Sequence, residues 1–411
     1  MWREELMSEK TLTFVCCLDK TNITLDYMSE HQGVRLNSFN RDELNDDSTA
    51  VSTFSIDIKE SEFYNRESKN GNLYVQRHIT NLKNGHCYIL LKFKKSNTAD
   101  GYYYRNYRSP EGSKTEQEYE KIKIISLAFV YPSNKLVAKN NLIQSFLNKK
   151  KSHTDINKEF RGQIYLNSYS VGQGMCSLLH NGKEGVLLDC GAGKPILKPN
   201  YKKLSTNKLI IDLNALSQVD MILSHLDSDH HRLLSWDPYI LEMVSNIYIP
   251  SNTDDLFLKD KLTFQKVIAC SRIKIKFANG FLHSYRTQPF SSSKEKNDNA
   301  LVTHISTEKE EVLAPGDYSY KNIHTDLCPE IAALKNNEYT YVIVPHHGDI
   351  ESSESILSPS KSILAIAFFS AGTNEKYKHP STQSMDAHSA LMFINVVDNE
   401  NNDIDKIQFK L

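Results

Sequence analysis

Along the first 135 residues, apolar and polar positions fall into short runs that predict strands. Residues 11–15, 53–58, 87–93 and 121–130 are rich in β-branched and aromatic types, with Asn, Asp, Gly and Ser clusters between them. Two runs, 87–93 and 122–131, are almost continuously apolar, as a buried strand is. Asn84-Gly85 fits a tight turn entering the first of them. Residues 136–147 have a helical spacing, and the polar, lysine-rich stretch 148–157 reads as a linker. A β-rich domain over 1–150 and a boundary near 150–160 are therefore expected.

Beyond Gly162 the texture changes. Strands are predicted over 163–170, 176–180 and 185–189, with the turn Val171-Gly172-Gln173-Gly174 after the first and Asp189-Cys190-Gly191 closing the third. Later apolar runs each end in polar side chains. Residues 219–223 precede His225, 311–314 precede Gly316-Asp317, 341–344 precede His346-His347, and 363–369 precede the loop holding His379. Reactive groups just past strand ends are what a rigid sheet positions on its loops.

The densest cluster is His225, Asp227, Asp229 and His230, four potential ligands within six residues. Alternation in an extended segment points His225 and Asp227 one way, and a following turn presents Asp229 and His230. Burying such carboxylates without a counter-charge is costly. Either a divalent cation supplies that charge, or the run is an exposed acidic loop.

Composition narrows the rest. Lys and Arg number 49 against 50 Asp and Glu, so any polyanion must meet a local basic patch rather than a global field. No apolar run of about 18 residues predicts a membrane span, and the charged N-terminus MWREELMSEK lacks a signal-peptide core. The seven cysteines are scattered without a Cys-x-x-Cys pair, which argues against a disulfide framework and fits a reducing cytosol. Vicinal Cys16 and Cys17 read as strand residues facing opposite sides. The strip Gly101-Tyr102-Tyr103-Tyr104-Arg105-Asn106-Tyr107-Arg108 could stack bases, or pack its tyrosines on a sheet. Lys149-Lys150-Lys151 reads as solvated chain. Other motifs fail on inspection: Ser177 stands where a dinucleotide fingerprint needs glycine, Pro195 where a phosphate loop needs Ser or Thr, and neither His-Glu-x-x-His nor Gly-x-Ser-x-Gly occurs.

Seven segments, in order, carry a family resemblance: Val171–Gly174, Leu188–Gly191, His225–His230, Asn297–Val302, Gly316-Asp317, His346–Gly348 and His379–Ser381. The pattern resembles the metallo-β-lactamase superfamily, and within it the hydrolase domain of the DNA-uptake protein ComEC and its stand-alone relatives. The resemblance covers roughly 163–411. It implies an α/β fold, an αββα sandwich over 160–411, joined to the β-rich N-terminal domain.

It also implies a site for two divalent ions, Zn²⁺ or Mn²⁺. His225 and Asp227 would hold one, Asp229 and His230 the other, and Asp317 would bridge them. One of His346 and His347 would complete the shell, with His347 preferred by alignment to the superfamily's Pro-Gly-His-Gly segment. Asp189 and Asn297 would orient ligands from behind. Asp229, His379 and His346 are the residues expected at the catalytic step. His379 would contact substrate or leaving group, or ligate a metal, and Lys378 would face a phosphate. Two such ions would activate water near neutral pH and stabilise in-line displacement at phosphorus, while His379 or the non-ligating histidine of the 346/347 pair protonates the leaving oxygen. Two departures stand out: Met175 where relatives carry Asp, and Lys378 where they carry Gly.

The resemblance favours nucleic acid as substrate, in a nuclease or phosphodiesterase of the kind that serves as an effector in bacterial anti-phage defence. A cyclic nucleotide or phosphocholine-like ester is the alternative substrate. A third reading makes the N-terminal domain a protein-recognition module beside a silent scaffold.

Overall fold

The computed structural model describes residues 11–24, 32–41, 53–64, 78, 80–82, 86–98, 100–105, 120–131, 133, 151–201, 203–251, 266–290, 296–372, 378–398 and 403–411. The chain divides into two compact units, 1–149 with 257–264, and 150–256 with 265–411.

In the first unit, six strands close into a barrel in the order β1-β2-β3-β5-β6-β4. They are β1 (Leu12–Thr24), β2 (Gln32–Asn40), β3 (Thr53–Lys59), β4 (Tyr88–Lys95), β5 (Gly101–Arg105) and β6 (Glu120–Val130). Alternation explains the barrel, because every second residue points inward. Phe14, Val34, Leu36, Ile56, Ile58, Leu91, Phe93, Ile122 and Ile124 fill its core. Cys16 joins that core and Cys17 packs with the cluster of Val15, Phe39 and Tyr88, so the two cysteines do face opposite sides. On β5, Tyr103 packs inward against Phe14, Phe54 and Phe93, and Tyr102 is buried. This part of the tyrosine strip takes the packing role, and residues 106–108 lie outside the described residues. So do the Asn84-Gly85 turn, the 136–147 helix, and Lys149 and Lys150.

The second unit holds β7 (Lys151–Glu159), β8 (Tyr165–Tyr169), β9 (Cys176–His180), β10 (Glu184–Cys190), β11 (Gln218–Ile222), β12 (Val244–Pro250), β13 (Val267–Phe277) and β14 (Gly280–Arg286). Then follow β15 (Leu301–Thr307), β16 (Glu311–Ala314), β17 (Glu338–Tyr339), β18 (Tyr341–Ile343), β19 (Ser358–Pro359), β20 (Ala365–Phe369), β21 (Phe393–Val397) and β22 (Lys406–Lys410). One mixed sheet runs β21-β20-β18-β16-β15-β14-β13-β12-β11-β10-β9-β8-β22, β7 pairs with β13, and β17 pairs with β19 apart from it.

The expected linker over 148–157 is corrected here. Residues 151–157 belong to β7, which runs parallel to β13. Its polar composition hides a period of two: Ile156 packs on the core and Lys158 forms an ion pair with buried Asp220, while Asp155, Asn157 and Glu159 are exposed.

Strands distant in the sheet order share one core. The Tyr341 ring lies 4.1 Å from that of Phe409, and its hydroxyl donates to Ser168 Oγ at 2.9 Å. A second apolar cluster, including Ile323, Ile331, Val342, Phe369 and Phe393, backs the other side of β18 and β20. It takes residues from the helices Tyr320–Thr325 and Pro329–Ala333, and Met385 of the helix Thr382–Ala390 packs against it. The chain is thus mixed α/β. No two of the seven cysteines are bonded. No helix among the described residues is long and apolar enough to cross a membrane.

Candidate metal centre

Five loops meet at one place, and each follows the C-terminal end of a strand with a parallel neighbour. Strands β10 and β11 pair in parallel, as do β16, β18 and β20. In such sheets the loops beyond the carboxyl ends are where sites form. Asp189 comes at the end of β10, with φ +59°. Ser224 and His225 follow β11, and the 3₁₀ turn Ser228–His230 carries Asp229 and His230. Asp317 follows β16, and the tight turn Pro345–Gly348 follows β18.

Two glycines let these loops close in. A Cβ on Gly191 would overlap the Asp229 carbonyl oxygen, and one on Gly316 (φ +63°) would overlap Ser224 Oγ. At Gly316 only glycine permits both the left-handed conformation and that approach, and at Gly191 the approach alone demands it.

The ligand atoms converge. His225 Nε2 lies 3.5 Å from Asp317 Oδ2 and 3.8 Å from Asp227 Oδ2. His230 Nε2 lies 3.0 Å from Asp317 Oδ1, and His347 Nε2 is 3.3 Å from Asp229 Oδ2 and 3.9 Å from Asp317 Oδ1. Two sets have ligand atoms within 4.8 Å of one another: His225, His230 and Asp317, and Asp229, His230 and His347. The sequence reading divided His225 and His230 between two ions, whereas here His230 belongs to both sets. Asp227 stands at the rim, with a third of its side chain exposed.

Several of these atoms are buried without a hydrogen bond: Nε2 of His225, His230 and His347, and Oδ1 of Asp317. Each is near an oppositely charged partner, yet none is aligned to bond it. Buried polar atoms left so are costly. Cations held in the two sets would satisfy all four, so the residues fit a metal.

The electrostatics agree. Burial works against a charged His230, but Asp317 and Asp189 outweigh it and hold the ring well above its ordinary pKa. Burial also opposes ionisation of Asp317, and the surrounding His230, His225, His346 and His347 overcome it, keeping the carboxyl well below its usual range.

The adjacent histidines 346 and 347 part company. Both have positive φ, +46° and +56°, which turns successive side chains apart. His347 is buried, and its Nδ1–H donates to the Ser370 carbonyl at 2.7 Å, leaving the Nε2 lone pair for the cluster. The His346 side chain is 38% exposed, with Nε2 3.8 Å from Asp317 Oδ2 and Nδ1 3.1 Å from Asp349 Oδ2. Burial lowers its pKa, but Asp317 and the bond to Asp349 raise it on balance to about 9. The His379 ring lies 5.7 Å from that of His346 and 6.3 Å from that of His347. Burial, aided by those two rings, lowers it to about 4.

Asp189 is in neither ligand set. It accepts from the Ser224 backbone N–H at 2.7 Å, from Ser224 Oγ at 2.8 Å and from His230 Nδ1 at 2.8 Å. Lys378 is exposed at the rim with φ +55°. Asn297 lies in the turn Lys296–Asp298, where no hydrogen bond joins it to the ligand cluster among the described residues. Its neighbour Asp298 accepts from Asn322 instead. Met175 is buried beneath the site, its N–H on the Asp229 carbonyl and its own carbonyl receiving Gly191 N–H. Arg232 donates to the Ala192 carbonyl and lies over the Trp236 ring. Sequence reasoning missed two participants, Ser224 and Asp349. The first precedes His225 directly, and the second sits three residues after His346.

No family model matches the chain, and no curated protein does. Among solved structures, it is similar to CmlA, a diiron β-hydroxylase from Streptomyces venezuelae, with a TM-score of 0.33 and 10% identity over 61% of this chain and 55% of that one. It is also similar to the metallo-β-lactamase fold protein YhfI from Bacillus subtilis, with a TM-score of 0.34 and 10% identity over 59% of this chain and 99% of that one. The chain spans about half the length of the first. At these scores the likeness says nothing about the site, which rests on its own geometry.

Proposed function

We propose that this protein is a metal-dependent hydrolase of phosphodiesters, with nucleic acid as the favoured substrate, built on an αββα sandwich of the metallo-β-lactamase type. One observation carries the reading: four buried ligand atoms, from His225, His230, Asp317 and His347, converge without hydrogen bonds. Three aspartates and three histidines (225, 230 and 347) form a donor set suited to Zn²⁺ or Mn²⁺. Divalent ions held there would lower the pKa of water and stabilise charge developing at phosphorus.

The chain's own groups take the remaining roles. Ser370 keeps the His347 lone pair directed inward, and Asp189 does the same for His230. His346, braced by Asp349 and open to solvent, is the proton donor to the leaving oxygen. A cation nearby would bring its pKa down from about 9 toward neutrality. His379 is neutral at pH 7 and serves as a hydrogen-bonding contact to substrate. Exposed Lys378 beside it offers positive charge to an anionic ester.

The test is metal content by mass spectrometry, followed by hydrolysis of bis-p-nitrophenyl phosphate and of single-stranded and duplex nucleic acid with added Mn²⁺ or Zn²⁺. Absence of bound metal, or hydrolysis indifferent to it, would sink the reading.

A further inference from the structure

The hydroxyl of Ser224 sits among three groups: Asp189 Oδ2 at 2.8 Å, His225 Nδ1 at 3.1 Å and His230 Nδ1 at 3.2 Å. It has one proton to give and two lone pairs. A carboxylate only accepts, so the proton goes to Asp189, the shortest of the contacts. Toward His225, Ser224 is then an acceptor, and Nδ1 of that ring must carry hydrogen. A bare Nδ1 would set two lone pairs against each other. His230 Nδ1 donates directly to the same Asp189 oxygen at 2.8 Å.

One carboxylate therefore dictates the tautomer of both rings, one directly and one through a serine. In the neutral rings both Nε2 atoms are left as lone pairs, and both are buried without a hydrogen bond. Asp189 and Ser224 are 5% and 6% exposed and both histidines 0%, so these contacts are made away from bulk solvent. The geometry is held from two sides. The Ser224 backbone N–H is anchored on Asp189 Oδ1 at 2.7 Å, and Gly316 packs against Oγ with no room for a Cβ.

We propose that Ser224 is a positioning residue that relays Asp189 to His225, so that a single carboxylate holds the metal-facing lone pairs of both histidines. The proposal rests on the metal-centre reading above. It assigns the hydroxyl to the ion held by His225, and not to the one held through Asp229 and His347.

The test uses the full chain as wild type, Ser224→Ala and Asp189→Asn. Each is stripped of metal and titrated with Co²⁺, followed by visible absorption and calorimetry. Wild type is expected to take two ions. Ser224→Ala should weaken one by about 10- to 100-fold, the usual effect of losing a partner behind a ligand, and leave the other unchanged. Asp189→Asn should weaken both. Nitrogen NMR of the Zn²⁺-loaded wild type needs no variant and should find the ring protons of His225 and His230 on Nδ1. The proposal is overturned if Ser224→Ala binds both ions as wild type does, if it weakens both alike, if Asp189→Asn spares one, or if His225 carries its proton on Nε2. A wild type that takes no ion overturns the metal centre itself, a result distinct from any of these.

Discussion

His230 Nε2 and Asp317 Oδ1 lie 3.0 Å apart, both buried, and do not hydrogen-bond. The opposite nitrogen of the same ring is 2.8 Å from Asp189. The ring is thus gripped from behind and left open in front. Such a pair is arranged around something between its members, and the expected consequences follow from that.

Asp317 touches the rings of both ligand sets, so Asp317→Ala should remove binding of both ions and abolish metal-dependent phosphodiester hydrolysis while the chain stays folded. Metal content, circular dichroism and hydrolysis of bis-p-nitrophenyl phosphate check this together. Retained activity would remove Asp317 from the centre.

His346 and His347 should separate by phenotype. His347→Ala should lose metal, because its Nε2 is a buried ligand atom. His346→Ala should keep its metal and lose roughly 10²- to 10⁴-fold in kcat, the usual contribution of a positioned proton donor. Metal titration beside steady-state kinetics distinguishes them, and loss of metal in both variants would make His346 a ligand.

Metal should stabilise the fold by mass action. At a free concentration about 100 times Kd, each ion adds about 2.7 kcal/mol. For a unit of this size that corresponds to a rise in Tm of roughly 5–10 °C per ion. Thermal unfolding of chelator-treated and metal-restored protein measures it, and identical curves would count against a built site.

Gly316→Ala should destabilise the metal-free protein by about 1–3 kcal/mol, because the new methyl meets Ser224 Oγ in a packed site. Its positive φ adds to the cost. Urea unfolding of wild type and variant gives the difference.

Asp398, which is not one of the ligands, makes stability depend on pH. Burial pushes its carboxyl up to about 8, against the opposing bonds from Gly172 N–H (2.6 Å), Ser170 and Val171. Unfolded, the group ionises near pH 4. Between these values the unfolded chain binds fewer protons, so this contribution is complete below pH 4 and is lost as pH rises toward 8. The slope is up to about 1.4 kcal/mol per pH unit. Asp398→Asn should flatten it, which denaturant unfolding at pH 5 and 8 would reveal.

Much of this was legible in the chain itself. Runs 176–180 and 311–314 are strands with the bounds their patterns predicted, and four of the six barrel strands (β1, β3, β4 and β6) were visible as apolar runs, while β2 was not anticipated. Strand β7 was not either, because lysines and asparagines mask a strand on which, among the described side chains, Ile156 and the paired Lys158 turn inward. Asp349 was missed because an aspartate in a loop carries no signal until a histidine ring is seen against it.

What the sequence determined by itself is local: the period of each strand, and histidines and aspartates placed just past strand ends. Both follow from neighbours along the chain. Tertiary structure alone decided that His230 stands in both ligand sets, that His347 turns inward while His346 turns to Asp349, and that Asp189 reaches two histidines, one of them through Ser224. These depend on which loops the pairing of distant strands brings together and on backbone angles at single residues. Spacing along a chain encodes neither.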